Sequence, residues 1–178
     1  MKALELYISE GIKLSSKSKV NEKLYPKTKE ELKSIIIKKI KNKENDYNDI
    51  DISYITDLSS LFKEQDIVEI DISKWDVSNV TNMKSMFYNC KYLRTTGDLG
   101  KWNVSNVEDM SFMFSGCRCL TNIGDLSNWE INGTKMSYTF AETKRLRTIG
   151  QIQHWRPDTP NYDIFTLSII EPQPRKRV

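Results

Sequence analysis

Residues 75–87, WDVSNVTNMKSMF, return 27 residues later as residues 102–114, WNVSNVEDMSFMF. Weaker copies start at Trp129 and Trp155, so the tryptophans are spaced by 27, 27 and 26 residues. A period of this length marks a repeat array, in which each unit cannot bury its apolar face alone and must stack on its neighbours. The recurring residues therefore read as scaffold: Trp75, Trp102, Trp129 and Trp155; Phe62, Phe87, Phe114 and Phe140; Asn79 and Asn106. Residues that vary between copies are where a function would be written.

Full units run over residues 75–101, 102–128 and 129–154, with a degenerate unit over about 50–74 and a last one from Trp155 onward. Within them Leu58, Leu61 and Phe62 take the places of Met83, Met86 and Phe87 and of Met110, Met113 and Phe114. The spacing i, i+3, i+4 predicts one short helical turn per repeat. After each Phe, apolar stretches over 93–99, 120–126 and 146–152 contain Gly97, Gly124 and Gly150 and predict one strand per repeat. The expected fold is α/β: a short leucine-rich-repeat-like solenoid of about four to five repeats, 26–27 residues each, with stacked parallel strands and an N-terminal helical cap.

Two polar ladders accompany the aromatic ones. Asp71, Asp98, Asp125 and Gln151 stand four residues before each Trp; like charges stacked at strand spacing repel, so they should be solvated, bound to turn amides or bridged by a cation. Turn capping is the simplest of these. Asn79, Asn106 and Asn132 form the second ladder, expected as buried amides satisfying tight turns.

Residues 1–46 lack the repeat and read as an N-terminal cap, ahead of solenoid repeats over 47–154 and a degenerate C-terminal unit over 155–178. Thr28 with Glu31 three residues later is a capping-box signature. Leu32, Ile35, Ile36, Ile37 and Ile40 continue at largely helical spacing, so a helix is expected over about 28–43. Residues 4–14 alternate and fit a strand or a short amphipathic helix, and residues 17–21 read as a loop. The apolar run 164–170 reads as a closing strand, followed by the basic tail Arg175, Lys176 and Arg177.

Charge is uneven. Residues 1–50 carry 12 Lys and 8 acids, residues 51–128 carry 7 basic and 11 acidic side chains, and residues 129–178 carry 8 and 5. An acidic centre between basic ends argues against a polyanion ligand, which favours one continuous basic stripe. No window approaches the roughly 18 apolar residues of a membrane span. Glu5 and Glu10 interrupt what a secretory signal would need, so the expected location is the cytoplasm. An odd number of cysteines, three, fits a reducing compartment. Cys90 and Cys117 recur three residues after Phe87 and Phe114 and read as small buried apolar groups. Cys119 makes a CxC pair with Cys117, and with His154 as the single histidine no zinc set of the usual spacing is complete.

Residues 71–87, DISKWDVSNVTNMKSMF, and 101–117, KWNVSNVEDMSFMFSGC, resemble the BspA-type leucine-rich-repeat family of bacterial proteins. Residues 25–62 resemble the leader that precedes such repeats. The resemblance covers about residues 25–150 and implies a solenoid that binds other macromolecules. Many members are surface adhesins, and leaderless versions occur in phage and mobile-element genomes. It brings no catalytic residue, metal or cofactor.

The expected function is non-catalytic protein–protein binding, in a form such as an intracellular, phage-encoded inhibitor or adaptor. Exposed Tyr and Arg concentrate interface energy, which selects Tyr92, Arg94, Arg118, Arg145 and Arg147, all outside the repeating set. The alternatives are nucleic-acid binding through the basic N-terminal helix and the Arg145–Arg147 region, and a surface adhesin. An enzyme is the least supported class, since His154, next to Trp155, reads as a linker or surface residue.

Overall fold

The computed structural model describes residues 23–170. The expectations for residues 4–14 and 17–21 and for the tail from Arg175 lie outside the described residues. Helix α1, Lys29–Lys41, follows from the Thr28 cap, whose hydroxyl accepts from the Glu31 amide at 3.2 Å. Glu31 returns its carboxylate one residue further back than a capping box requires, to the Lys27 amide at 2.7 Å. Leu32 and Ile36 are buried against the first repeat. Lys39 is bonded to Glu44 and Asp49 at 2.9 and 3.0 Å and to the Asp46 carbonyl. Burial opposes its charge, but those two carboxylates outweigh it and hold its pKa above the ordinary value. The other regular elements among the described residues are a 3-10 turn, Leu126–Asn128, and a one-turn helix α2, Asn161–Ile164.

The stacked parallel-strand solenoid is not found: the described residues contain no strand and no sheet. Neighbouring repeats meet in isolated parallel bridges of one residue each, such as Glu69 to Thr95 to Asn122 and Asp57 to Asn82 to Asp109 to Lys135. A ladder needs consecutive extended residues, and left-handed Gly97, Gly124 and Gly150, with φ of +79°, +86° and +90°, break each run. The expected helical turn is also absent. Ser60, Ser85, Phe112 and Tyr138 lie two residues before each Phe with φ of 57–61°, a conformation no right-handed helix contains. Residues 164–170 form no closing strand, since α2 ends there and Leu167 is left-handed at φ 57°.

What replaces strands is a turn-to-turn hydrogen-bond column. The amides of Met83, Ser85, Phe87 and Asn89 donate to the carbonyls of Asp109, Ser111, Met113 and Ser115 in the next repeat, at 2.8–2.9 Å. The intervening amides of Met86, Tyr88 and Cys90 turn back on Met83, Ser85 and Phe87 within their own repeat. The same pattern links Leu58, Ser60, Phe62 and Glu64 to Asn82, Lys84, Met86 and Tyr88. Buried backbone is thereby satisfied without a sheet.

Inside this frame the side chains stack in files. Phe62, Phe87, Phe114, Phe140 and Phe165 follow one another with ring centroids 5.1–5.6 Å apart and planes within 10°. Trp102, Trp129 and Trp155 form a second file at 6.5 and 6.3 Å. The indole Nε1 of Trp75, Trp102 and Trp129 donates to the carbonyls of Tyr47, Ile72 and Leu99; that of Trp155, at the far end, is buried and has no partner among the described residues. Cys90 and Cys117 are buried free thiols whose Sγ–H donates to the Phe62 and Phe87 carbonyls.

Tyr47 is buried with its hydroxyl lacking a partner among the described residues. Burial first, and the Glu44 charge second, push its pKa from 10.0 to about 12; burial pushes Cys90 from 9.0 to about 12. Both groups are neutral when protonated, so their contribution to stability is full below pH 9–10 and is lost as pH rises toward 12. Tyr47→Phe is expected to leave neutral-pH stability unchanged or raise it by up to about 1 kcal/mol, because the unsatisfied hydroxyl goes. It should also remove part of the alkaline decline. Denaturant melts at neutral and alkaline pH check both; a loss above about 1 kcal/mol at neutral pH would contradict the account.

Candidate interaction face

The aspartate ladder caps turns. Asp71, Asp98 and Asp125 each accept, through Oδ1, the amide two residues on, from Ser73, Gly100 and Ser127, at 2.9 Å. The Ser127 hydroxyl and amide hold Asp125 below the ordinary carboxylate value. For Asp71 burial works upward, but Ser73 and Asn48 outweigh it. The Asn ladder lies differently from expectation: Asn79, Asn106 and Asn132 are exposed. Asn79 and Asn106 donate to the Ser53 and Ser78 carbonyls of the preceding repeat, while Asn132 pairs through its backbone with Arg156.

The segment after each Phe carries the residues that vary. Its register is set by the bridges from Glu69 to Thr95 to Asn122, and by the Arg94 amide on the Val68 carbonyl at 2.7 Å and the Thr121 amide on the Arg94 carbonyl at 2.9 Å. In that register Asp66, Tyr92, Cys119 and Arg145 are equivalent, as are Val68, Arg94, Thr121 and Arg147, while Lys91, Arg118 and Lys144 each stand four residues after a Phe. Tyr92, Arg94, Arg118, Arg145 and Arg147 are all exposed, so all five residues that residue type selects fall on one segment repeated along the stack. Arg94 and Arg147 are separated by the repeat that carries Thr121.

Arg118 is partly engaged, with its guanidinium on Glu142 of the next repeat at 2.7 and 3.2 Å. Such a surface pair contributes about 0–1 kcal/mol and yields easily to a better partner. Lys91, Arg94, Lys144, Arg145 and Arg147 make no ion pair among the described residues. Arg147 also borders a cavity of about 460 Å³ lined by Ile149, Ile152, Ile169 and Ile170.

Lys91 and Lys144 belong to the same face, although residue type alone does not select them. Their signal is the offset from Phe, which shows only once the repeats are overlaid. Phe112 and Tyr138 likewise escape the sequence reading. They stack at 5.3 Å, with Tyr88 edge-on to Phe112, and they hold the strained left-handed positions that serine takes at Ser60 and Ser85.

Helix α1 and the Arg145–Arg147 region are not brought together. α1 packs on the first repeat, with Lys29 on Asp57 and Ser59 at 2.9 and 2.6 Å, and that same repeat carries exposed, acidic Asp66 and Glu69. His154 Nε2 lies 3.0 Å from the Trp129 carbonyl. Among the described residues no group of three or more His, Cys, Asp or Glu side chains is arranged to hold a metal ion, and no helix is long and apolar enough to cross a membrane.

A family model described as Mycoplasma protein of unknown function, DUF285, matches residues 31–155. No curated protein and no solved structure matches the chain.

Proposed function

We propose a binding role from this premise: the chain belongs to the family described as Mycoplasma protein of unknown function, DUF285. The chain acts as a non-catalytic protein-binding module, and its partner lies along the segment after each Phe. The observation that carries this reading is the recurrence of exposed basic groups without an ion pair among the described residues, Lys91 and Arg94 in one repeat and Lys144, Arg145 and Arg147 two repeats on, with exposed Tyr92 among them. The resemblance of the repeats to BspA-type sequences favours macromolecular binding too. An inhibitor or adaptor that works by covering a partner's surface is the form proposed.

Nucleic acid is the second reading, favoured by the same basic groups. Asp66 and Glu69 on the same segment, and the position of α1 on the first repeat, weigh against it, because a polyanion gains from an uninterrupted basic stripe.

Arg94→Ala/Arg147→Ala is expected to cut partner retention in a pulldown at least tenfold, about 1.4 kcal/mol or more, since exposed Arg at an interface centre is a frequent anchor. Both side chains are exposed, so thermal stability should hold within about 0.5 kcal/mol. Undiminished retention by this variant would remove the face from consideration.

A further inference from the structure

The segment after each Phe is not uniformly basic: it changes sign along the stack. The first repeat presents Asp66 and Glu69, and the equivalent rows end in Arg145 and, one row over, Arg147, with Lys144 beside them. All five are exposed, and none makes an ion pair among the described residues. Three steps of the Phe file, 5.1–5.6 Å each, separate the acidic rung from the basic one. An extended chain at about 3.3 Å per residue crosses that distance in roughly five residues.

We infer that the partner is an extended, charge-asymmetric peptide segment that lies lengthwise along the stack. Its acidic run faces Lys144, Arg145 and Arg147, and its basic end faces Asp66 and Glu69. The inference rests on the protein-binding reading above and adds the partner's chemistry and direction. Lys91 and Arg94 extend the acid-binding stretch toward the middle, and Tyr92 offers an apolar face between the two ends. A uniform polyanion placed over the whole strip would set its charges against Asp66 and Glu69, and like-charge contacts of that kind select strongly against a wrong ligand.

The test uses the full chain and fluorescence anisotropy at low ionic strength. The probes are a peptide with a glutamate block followed by a lysine block, an all-glutamate peptide of equal length, and a single-stranded oligonucleotide. The block peptide is expected to bind about tenfold or more tighter than the all-glutamate peptide. Asp66→Lys/Glu69→Lys should reverse that order, and Arg145→Glu/Arg147→Glu should weaken binding of both peptides about tenfold or more. Equal or tighter binding of the all-glutamate peptide or the oligonucleotide by the unaltered chain overturns the inference. So does a native mass showing that a second copy occupies the strip and is released by either charge reversal. If pulldown retention depends on Arg94 and Arg147 but is indifferent to Asp66→Lys/Glu69→Lys, the binding face stands and its charge direction fails.

Discussion

Phe114→Ala is expected to lower the stability of the chain by about 3–5 kcal/mol, among the larger costs of a core truncation. Phe114 is fully buried, with Phe87 at 5.2 Å on one side and Phe140 at 5.6 Å on the other. Removing it takes away two stacked contacts, each worth about 0.5–1.5 kcal/mol beyond area, and opens a gap that the hydrogen-bonded turns on either side cannot close. Domains of this size have about 5–15 kcal/mol in total, so the variant should be marginal. Phe165 ends the file with one stacked neighbour, Phe140, and Phe165→Ala should cost clearly less. Urea melts of the two variants check this; equal costs would mean that the file does not couple the repeats.

Gly124→Ala is expected to cost about 2–5 kcal/mol, combining a left-handed backbone penalty of about 1–2 kcal/mol with overpacking of about 1–3 kcal/mol. Gly124 sits at φ +86°, and a Cβ there would collide with the Asp98 carboxylate of the preceding repeat. That carboxylate caps the Gly100 amide, so the damage spreads to the neighbouring turn. Gly97 meets Asp71 and Gly150 meets Asp125 in the same way. The aspartate row and the glycine row are thus one device: the acid caps its own turn, and the glycine of the next repeat makes room for it. Gly133 is the control, left-handed at φ +72° with nothing within 4 Å of the place a Cβ would take, so Gly133→Ala should show the backbone penalty alone. Thermal or denaturant melts that give both variants the same cost would contradict this.

Much of the packing was legible in the sequence. The Trp and Phe positions, the buried thiols and the Thr28-capped helix all follow from periodicity and capping chemistry, because side-chain burial repeats with the chain. The backbone between them was not. Leu58, Leu61 and Phe62 are spaced as on a helix, yet Ser60 between them is left-handed, and serine gives no sign of that. Of the row Glu64, Asn89, Gly116 and Glu142, also left-handed, Gly116 and, more weakly, Asn89 announce their conformation, whereas the two glutamates do not. The apolar runs that contain Gly97, Gly124 and Gly150 read as strands; they fold here as single bridges, and each glycine sits against an aspartate a full repeat away. The exposed face was half legible. Arg and Tyr stand out by type, whereas Lys91, Lys144, Asp66 and Glu69 gain meaning only from the register, and the first repeat is shorter than the next between its Phe and the bridge at Glu69.

The central claim is that the exposed segment after each Phe binds a protein. The most direct test is affinity purification from a bacterial lysate, with the unaltered chain and Arg145→Glu/Arg147→Glu side by side, each with and without nuclease, followed by native mass determination. The account predicts a stoichiometric protein held by the unaltered chain, indifferent to nuclease and absent from the charge-reversed one. A partner kept equally by both chains, or lost on nuclease treatment, would contradict it.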